Sequence, residues 1–363
     1  MTRLAIAGGG TGGHLFPALA VAEALVEQGV ARSEILFVGS ERGLEQRLVG
    51  RHGFPLECLP ARPFQGQGGR ARLAAVAALP GLVVAARHLL ARFAPDGLLG
   101  VGGYASVPAG LAARSLGVRL VLQEQNRWPG LANRLLAHFA RRVCVVDDAV
   151  ARFFPGGRCV ATGNPVPGER RQAGSPAEVG LKEGCFTLLV IGGSGGAVAL
   201  NEVLAAAAPL LADRAGDLQI LHACGDHPTG GLEEAYAKAG IHARVLPFIE
   251  RMGVAYAVAN AIVARAGALT CQEIANAGLP SLLIPYPYAT HDHQWHNALR
   301  LQEVGAAQVV RQGELDPARL AATIRAWLDD PAGRARQAAA AHRLAAPDAA
   351  TKVAAELLAA AAR

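Results

Sequence analysis

Twice along this chain a short aliphatic run breaks into a cluster of glycines and then into a segment with helical periodicity. The first copy is Ala5-Ile6-Ala7-Gly8-Gly9-Gly10-Thr11-Gly12-Gly13-His14, and the second is Leu189-Val190-Ile191-Gly192-Gly193-Ser194-Gly195-Gly196-Ala197. A strand that turns tightly into a helix opens a doubly wound parallel sheet, and glycine lets the backbone make that turn and lie close to a bound group. Two copies in 363 residues predict two such domains in tandem, each long enough to bury its own core.

The remaining pattern agrees. Strands are expected at Leu4–Ala7, Ile35–Val38, Leu98–Gly100, Leu120–Gln123 and Val143–Val146, with helices beginning near Pro17, Arg72, Val107 and Pro129. A second set of strands is expected at Thr187–Ile191, Gln219–His222, Arg244–Pro247, Ala261–Ala264 and Ser281–Pro285. Between the sets, Gly163-Asn164-Pro165-Val166-Pro167-Gly168 stops both helix and strand and reads as a linker. The fold class predicted is α/β: two Rossmann-like doubly wound parallel-sheet domains facing across a cleft, at residues 1–162 and 163–340. Residues 341–363 are read as a C-terminal helix packing back on the first domain. Ligands are expected at the carboxyl ends of the strands.

Composition removes several alternatives. With 52% hydrophobic and 18% charged residues the chain is not disordered. The longest apolar stretch, Gly97 to Ala113, is interrupted by Gly100, Gly102, Gly103, Pro108 and Gly110, so membrane contact is expected to be peripheral. Arg3 leads straight into the first strand, too short an opening for a secretory signal, which makes the cytoplasm the expected location. The six cysteines are scattered singly and read as reduced, mostly buried thiols. A net charge of +6 with only three lysines suits an anionic partner but gives no indication of nucleic acid.

Three constellations bear chemistry. His14 stands where the first glycine loop becomes a helix, and an imidazole there can take a proton from a substrate hydroxyl near neutral pH. Ala264 to Gly278 runs from strand through glycine turn to helix. The first-turn N–H groups of Ala268, Leu269 and Thr270 can cradle a diphosphate, and Glu273 can accept hydrogen bonds from two vicinal hydroxyls, as on a ribose. His291-Asp292-His293-Gln294-Trp295-His296-Asn297 reads as a polar sugar-binding loop with Gln294 as a contact; no metal site is expected there, and no Asp-x-Asp occurs to hold a divalent ion. No cofactor is expected. A nicotinamide oxidoreductase would want an acidic residue past the second strand, where only Glu41 stands near.

Together the motifs resemble, across nearly the whole chain, the N-acetylglucosaminyltransferases of peptidoglycan synthesis, a family of two-Rossmann-domain (GT-B) glycosyltransferases. They are Gly8 to His14, Gly102-Gly103-Tyr104-Ala105-Ser106, Glu124-Gln125-Asn126, Gly163-Asn164-Pro165-Val166, Gly192-Gly193-Ser194, Gly267-Ala268-Leu269-Thr270, and Asp292-His293-Gln294 followed by Asn297-Ala298. The resemblance implies an inverting transfer of N-acetylglucosamine from UDP-N-acetylglucosamine to the C4 hydroxyl of the muramyl sugar of lipid I (undecaprenyl-pyrophosphoryl-MurNAc-pentapeptide), giving lipid II and UDP. By that likeness His14 is the general base. The uracil lies near Ile249, the ribose on Glu273, and the diphosphate near Ser194 and Ala268 to Thr270. The sugar meets Asn126 and Gln294, with Thr11, Gly12 and Gly13 on the opposite wall.

The same likeness puts the acceptor pyrophosphate on Gly102, Gly103 and Tyr104 with Glu124 nearby. It implies peripheral attachment to the anionic cytoplasmic face of the cell membrane, for which Arg70 to Leu73 through Arg87 to Arg92 offers a basic and apolar stretch. Two positions depart from the pattern: Pro167 stands where the family carries Arg, with Arg170 as a replacement nearby, and Gly195 stands where it carries Gln. The donor motifs also leave open another UDP-sugar transferase or epimerase and a non-catalytic nucleotide-sugar sensor.

Overall fold

The computed structural model describes residues 2–9, 12–41, 45–60, 69–193, 196–226 and 229–362. The chain divides into two compact units: residues 1–167 with 346–363, and residues 168–345. The first crossing, after Pro167, falls inside the Pro/Gly-rich linker.

The first unit contains β1 (Leu4–Ala7), α1 (Gly12–Glu27), β2 (Ile35–Ser40), α2 (Glu45–Arg51), β3 (Leu56–Leu59) and α3 (Gly69–Phe93). It continues with β4 (Gly97–Gly100), α4 (Ser106–Leu116), β5 (Arg119–Glu124), α5 (Leu131–Leu136), β6 (Arg142–Val145) and β7 (Cys159–Ala161). The strands form a seven-stranded sheet in the order β3-β2-β1-β4-β5-β6-β7, with neighbouring strands parallel throughout the described residues. Both faces are covered, as an all-parallel sheet requires. Leu25 and Leu19 of α1 pack on one face, and Ala86, Leu90, Ala109 and Leu136 of α3, α4 and α5 pack on the other.

The second unit runs β8 (Phe186–Ile191), α6 (Val198–Ala207), β9 (Leu218–Ala223), α7 (Gly230–Lys238), β10 (His242–Leu246), α8 (Met252–Val258), β11 (Ala261–Ala264) and α9 (Ala268–Ala277). Then come β12 (Ser281–Leu283), α10 (His293–Glu303), β13 (Ala307–Val309), α11 (Pro317–Asp329) and α12 (Pro331–His342). Its six parallel strands are ordered β10-β9-β8-β11-β12-β13. The chain then returns to the first unit, where α13 (Ala349–Ala361) buries Val353, Ala354 and Leu357 in the same cluster as α1.

Strand order decides where sites can form. Successive strands run outward from β1 in one direction and from β4 in the other, so the loops leaving β1 and β4 are neighbours at the carboxyl edge; β8 and β11 repeat the arrangement. Val101 N–H bonds the Ala7 carbonyl at 3.0 Å, and Arg265 N–H bonds that of Ile191 at 3.1 Å.

Two helix expectations shift. The helix expected near Pro17 begins at Gly12 and keeps Pro17 inside, at the cost of the bond its missing N–H would have given the Gly13 carbonyl. The helix expected near Arg72 begins at Gly69. All six cysteines are free thiols. His222 is a core histidine, held neutral between the Tyr236 hydroxyl at 3.0 Å and Asn201 Oδ1 at 3.1 Å, with burial pulling its pKa down to about 3.

Candidate active site

In the first unit two glycine loops meet back to back. Gly8 and Gly9 have φ of 148° and 134°, and Gly102 and Gly103 have φ of 90° and 82°. A methyl group on Gly103 would lie 2.3 Å from the Gly9 carbonyl oxygen, so the approach of the loops itself requires glycine. Ser106, fully buried at the start of α4, pins them: its hydroxyl accepts from Gly102 N–H at 3.0 Å and donates to the Ala7 carbonyl at 2.7 Å.

His14 lies in the first turn of α1 and is half-buried. Its ring edge packs on Gly102, where a Cβ would stand 2.9 Å from Cδ2 and 3.0 Å from Nε2. The second glycine loop is therefore the wall that orients the imidazole. Gly12 is half-buried and Gly13 exposed beside it. Thr11 lies outside the described residues. Tyr104 is half-buried and packs with the α3 and α4 side of the core.

The Glu124-Gln125-Asn126 and Gly163-Asn164 motifs form one polar network. Asn164 Nδ2 donates to the Gln125 carbonyl at 2.8 Å, its Oδ1 accepts from Gln123 at 3.2 Å, and Gln125 Nε2 donates to the Val101 carbonyl at 2.8 Å. Glu124, only 1% exposed, accepts from Asn126 N at 2.9 Å, Asn126 Nδ2 at 3.2 Å, Gly130 N at 3.1 Å and Asn133 Nδ2 at 3.0 Å. Burial nonetheless pushes its carboxyl above the usual range. Such an enclosed side chain shapes the loop that presents Asn126, and its own bonds are directed inward rather than at a ligand.

In the second unit α9 starts directly from β11. Gly267 stands at its N-cap with extended backbone and has no side chain of its own to bond the first turn. Gly267, Ala268 and Thr270 are partly exposed, while Leu269 is buried. Asn297 of α10 braces the turn through the Ala266 carbonyl at 3.3 Å. Gln294, expected to meet a sugar, accepts from Tyr286 N–H at 2.9 Å, an orientation that fixes its amide. Ser194 lies outside the described residues.

Glu273 lies on α9 with its carboxylate already engaged within the unit. It is 3% exposed, and both oxygens are engaged: Oε1 by Arg170 Nη1 at 2.5 Å and Oε2 by the Tyr256 hydroxyl at 2.7 Å. Although burial works against its charge, Arg170 has its pKa raised by the carboxylate beside it, and burial next to Glu273 keeps the Tyr256 phenol protonated well above its usual range. A ribose here must share the carboxylate with these partners. Ile249 is 2% exposed, its side chain spent on the core with Met252 and Tyr256, which leaves only its main chain for a base.

Neither Tyr256 nor Arg265 was singled out in the sequence, where no motif marks either side chain. Arg265 holds the Ile284 carbonyl at 3.1 Å and Gln312 Oε1 at 2.5 Å. In the histidine-rich loop, His291 and Asp292 take left-handed backbone, and Asp292 pairs with Arg311 at 2.8 Å.

Each unit thus carries a strand–glycine turn–helix corner at the carboxyl edge of its sheet, with His14 on the first and the start of α9 on the second. Residues 4–145 match the glycosyltransferase family 28 N-terminal domain and residues 187–353 the family 28 C-terminal domain. The chain belongs to glycosyltransferase family 28.

Within that family it is 42% identical over 375 residues to a Pelobacter propionicus protein named UDP-N-acetylglucosamine--N-acetylmuramyl-(pentapeptide) pyrophosphoryl-undecaprenol N-acetylglucosamine transferase, covering 98% of this chain and 99% of the relative. Among solved structures it is similar to MurG of Acinetobacter baumannii, with a TM-score of 0.79 and 31% identity over 99% of this chain and 100% of that one. UDP-GlcNAc 2-epimerase of Neisseria meningitidis shares the fold, with a TM-score of 0.69 at 14% identity, covering 99% of this chain and 100% of that one.

Proposed function

We propose that this chain transfers N-acetylglucosamine from UDP-N-acetylglucosamine to the C4 hydroxyl of the muramyl sugar of lipid I, forming lipid II and UDP with inversion. The observation that carries the reading is His14, set on the Gly102 wall at the carboxyl edge of the first sheet in a chain of this family. The acceptor's C4 hydroxyl gives its proton to His14 as its oxygen bonds to the anomeric carbon. The bond from that carbon to the diphosphate breaks, and its electron pair leaves with UDP. Main-chain N–H groups at the start of α9, with the positive end of the helix, receive the developing charge. The glycine loops with Tyr104 hold the acceptor pyrophosphate, and Asn126 and Gln294 hold the sugar. Radiolabelled UDP-N-acetylglucosamine and a lipid I analogue test the reading: label should pass to the lipid, whereas nucleotide binding without turnover would make the protein a sensor.

The acceptor is anchored in a bilayer, and the exposed surface of the first unit suits one. Among the described residues no helix is long and apolar enough to cross a membrane. Leu131, Leu135 and Phe139 are 71%, 46% and 43% exposed at successive turns of α5 and just beyond it, with Arg134, His138 and Arg141 exposed among them. An apolar stripe edged by cations is the form of an interfacial anchor on anionic lipid.

Of the stretch singled out in the sequence, Arg70 to Leu73 through Arg87 to Arg92, the side chains of Arg70 to Leu73 lie outside the described ones, and the part from Arg87 to Arg92 is less suited. Leu89 and Leu90 are buried in the core, Arg87 bonds Ser115, and Arg92 pairs with Glu57. Attachment to the anionic cytoplasmic face is therefore assigned to α5. Replacing Leu131 and Phe139 together by Asp should lower co-sedimentation with phosphatidylglycerol vesicles by about tenfold or more, since burying each large side chain is worth about 1.5–3 kcal/mol, and should leave sugar-nucleotide binding intact. Undiminished sedimentation would assign the membrane contact elsewhere.

A further inference from the structure

Glu273 has one ion-pair partner among the described residues, Arg170, and the fold goes to some length to deliver it. The chain enters the second unit at Gly168 and at once makes a single tight turn, Gly168–Arg171, that packs on α8. The approach depends on Gly253, where a Cβ would fall 2.4 Å from the Glu169 carbonyl oxygen. The groups facing the Glu273 carboxylate are Arg170, with Glu169 beside it, from this turn, and Tyr256 from α8. On α9 itself Cys271 lies near, with Arg300 of α10 beside that thiol.

We infer that Arg170 is a positioning residue for the sugar nucleotide, one that aims the Glu273 carboxylate and acts on the ligand only through it. The inference rests on the assignment of the ribose to Glu273. A buried carboxylate without a cation takes up a proton, and a protonated carboxyl has given one acceptor site to its own hydrogen. Two vicinal hydroxyls need both oxygens as acceptors. An ionised carboxylate offers about four lone-pair sites, so the bonds from Arg170 and Tyr256 leave room for both ribose hydroxyls while fixing the plane in which they are received.

The test is the affinity of the full-length protein for UDP-N-acetylglucosamine, measured by calorimetry without acceptor at about pH 6 and about pH 8.5. This ligand lacks the secondary phosphate ionisation near neutrality that UDP would add to the profile. Wild-type affinity should be flat across this range. Arg170→Gln should bind roughly tenfold or more weakly at the lower pH and recover at the higher, tenfold being the effect of one pKa unit, while Arg170→Lys should stay flat.

Glu273→Gln should weaken binding equally at both pH values, and Arg170→Gln added to it should cost nothing more. Loss in Arg170→Gln that is equal at both pH values and adds to that of Glu273→Gln would overturn the inference by showing direct contact with the ligand, and so would unchanged affinity. Full affinity in Glu273→Gln would instead remove the ribose from Glu273, a separate result. Should Arg170→Gln fold poorly with its stranded carboxylate, the pH profile of Arg170→Lys and the neutral Arg170→Gln/Glu273→Gln pair decide the matter.

Discussion

His14→Ala should lower turnover by roughly 10²–10⁴ while UDP-N-acetylglucosamine still binds, because in the proposed mechanism the substitution removes the proton acceptor and leaves the second unit untouched. The size of the effect follows from what a positioned general base contributes when attack of the hydroxyl and departure of UDP share one transition state. The split follows from topology: His14 belongs to the unit built on β1, and the α9 cradle to the unit built on β8. Initial rates with saturating donor, set beside calorimetric binding of the donor, measure both halves. Near-normal turnover would take His14 out of the catalytic role, and lost donor binding would make it a binding residue.

Gly103→Ala should both destabilise the first unit and lower turnover. At φ of 82° an L-residue is strained, and the added carbon would sit 2.3 Å from the Gly9 carbonyl oxygen, inside contact distance of a main chain that has no side-chain freedom to yield. Strain and overpacking of this kind each cost about 1–3 kcal/mol, which together in a unit of this size lower the unfolding midpoint by about 4–24 °C. Because Gly102 is next in the chain and forms the wall for His14, turnover should fall even at temperatures where the variant is folded. Calorimetric unfolding and rates at low temperature test this together; an unchanged midpoint with full turnover would mean that the loops do not need their close approach.

Much of the architecture was legible because it is written locally. Leu4–Ala7 and Ala261–Ala264 are strands with the expected ends, since apolar runs bounded by glycine or by Arg265 have few other uses. The strands that escaped notice are β3, β7 and β13. Each is short, and their exposed or half-buried positions, such as Glu57, Ala161 and Gln308, dilute the apolar signal. His14 and the start of α9 were legible for a related reason: a glycine turn between strand and helix announces its position whatever surrounds it.

What the sequence by itself determined is thus the pair of parallel sheets, the glycine turns at their carboxyl edges, and the histidine and helix start that stand there. Only the tertiary structure decided how those groups are held. It set Gly103 against Gly9, enclosed Glu124 among Asn126, Gly130 and Asn133, spent Ile249 on the core, and paired Glu273 with an arginine 103 residues away. Strand periodicity and glycine turns are properties of neighbours in the chain. A buried charge finds its partner only where packing brings distant segments together, and that partner is fixed by the free energy of removing both groups from water, which no local pattern encodes.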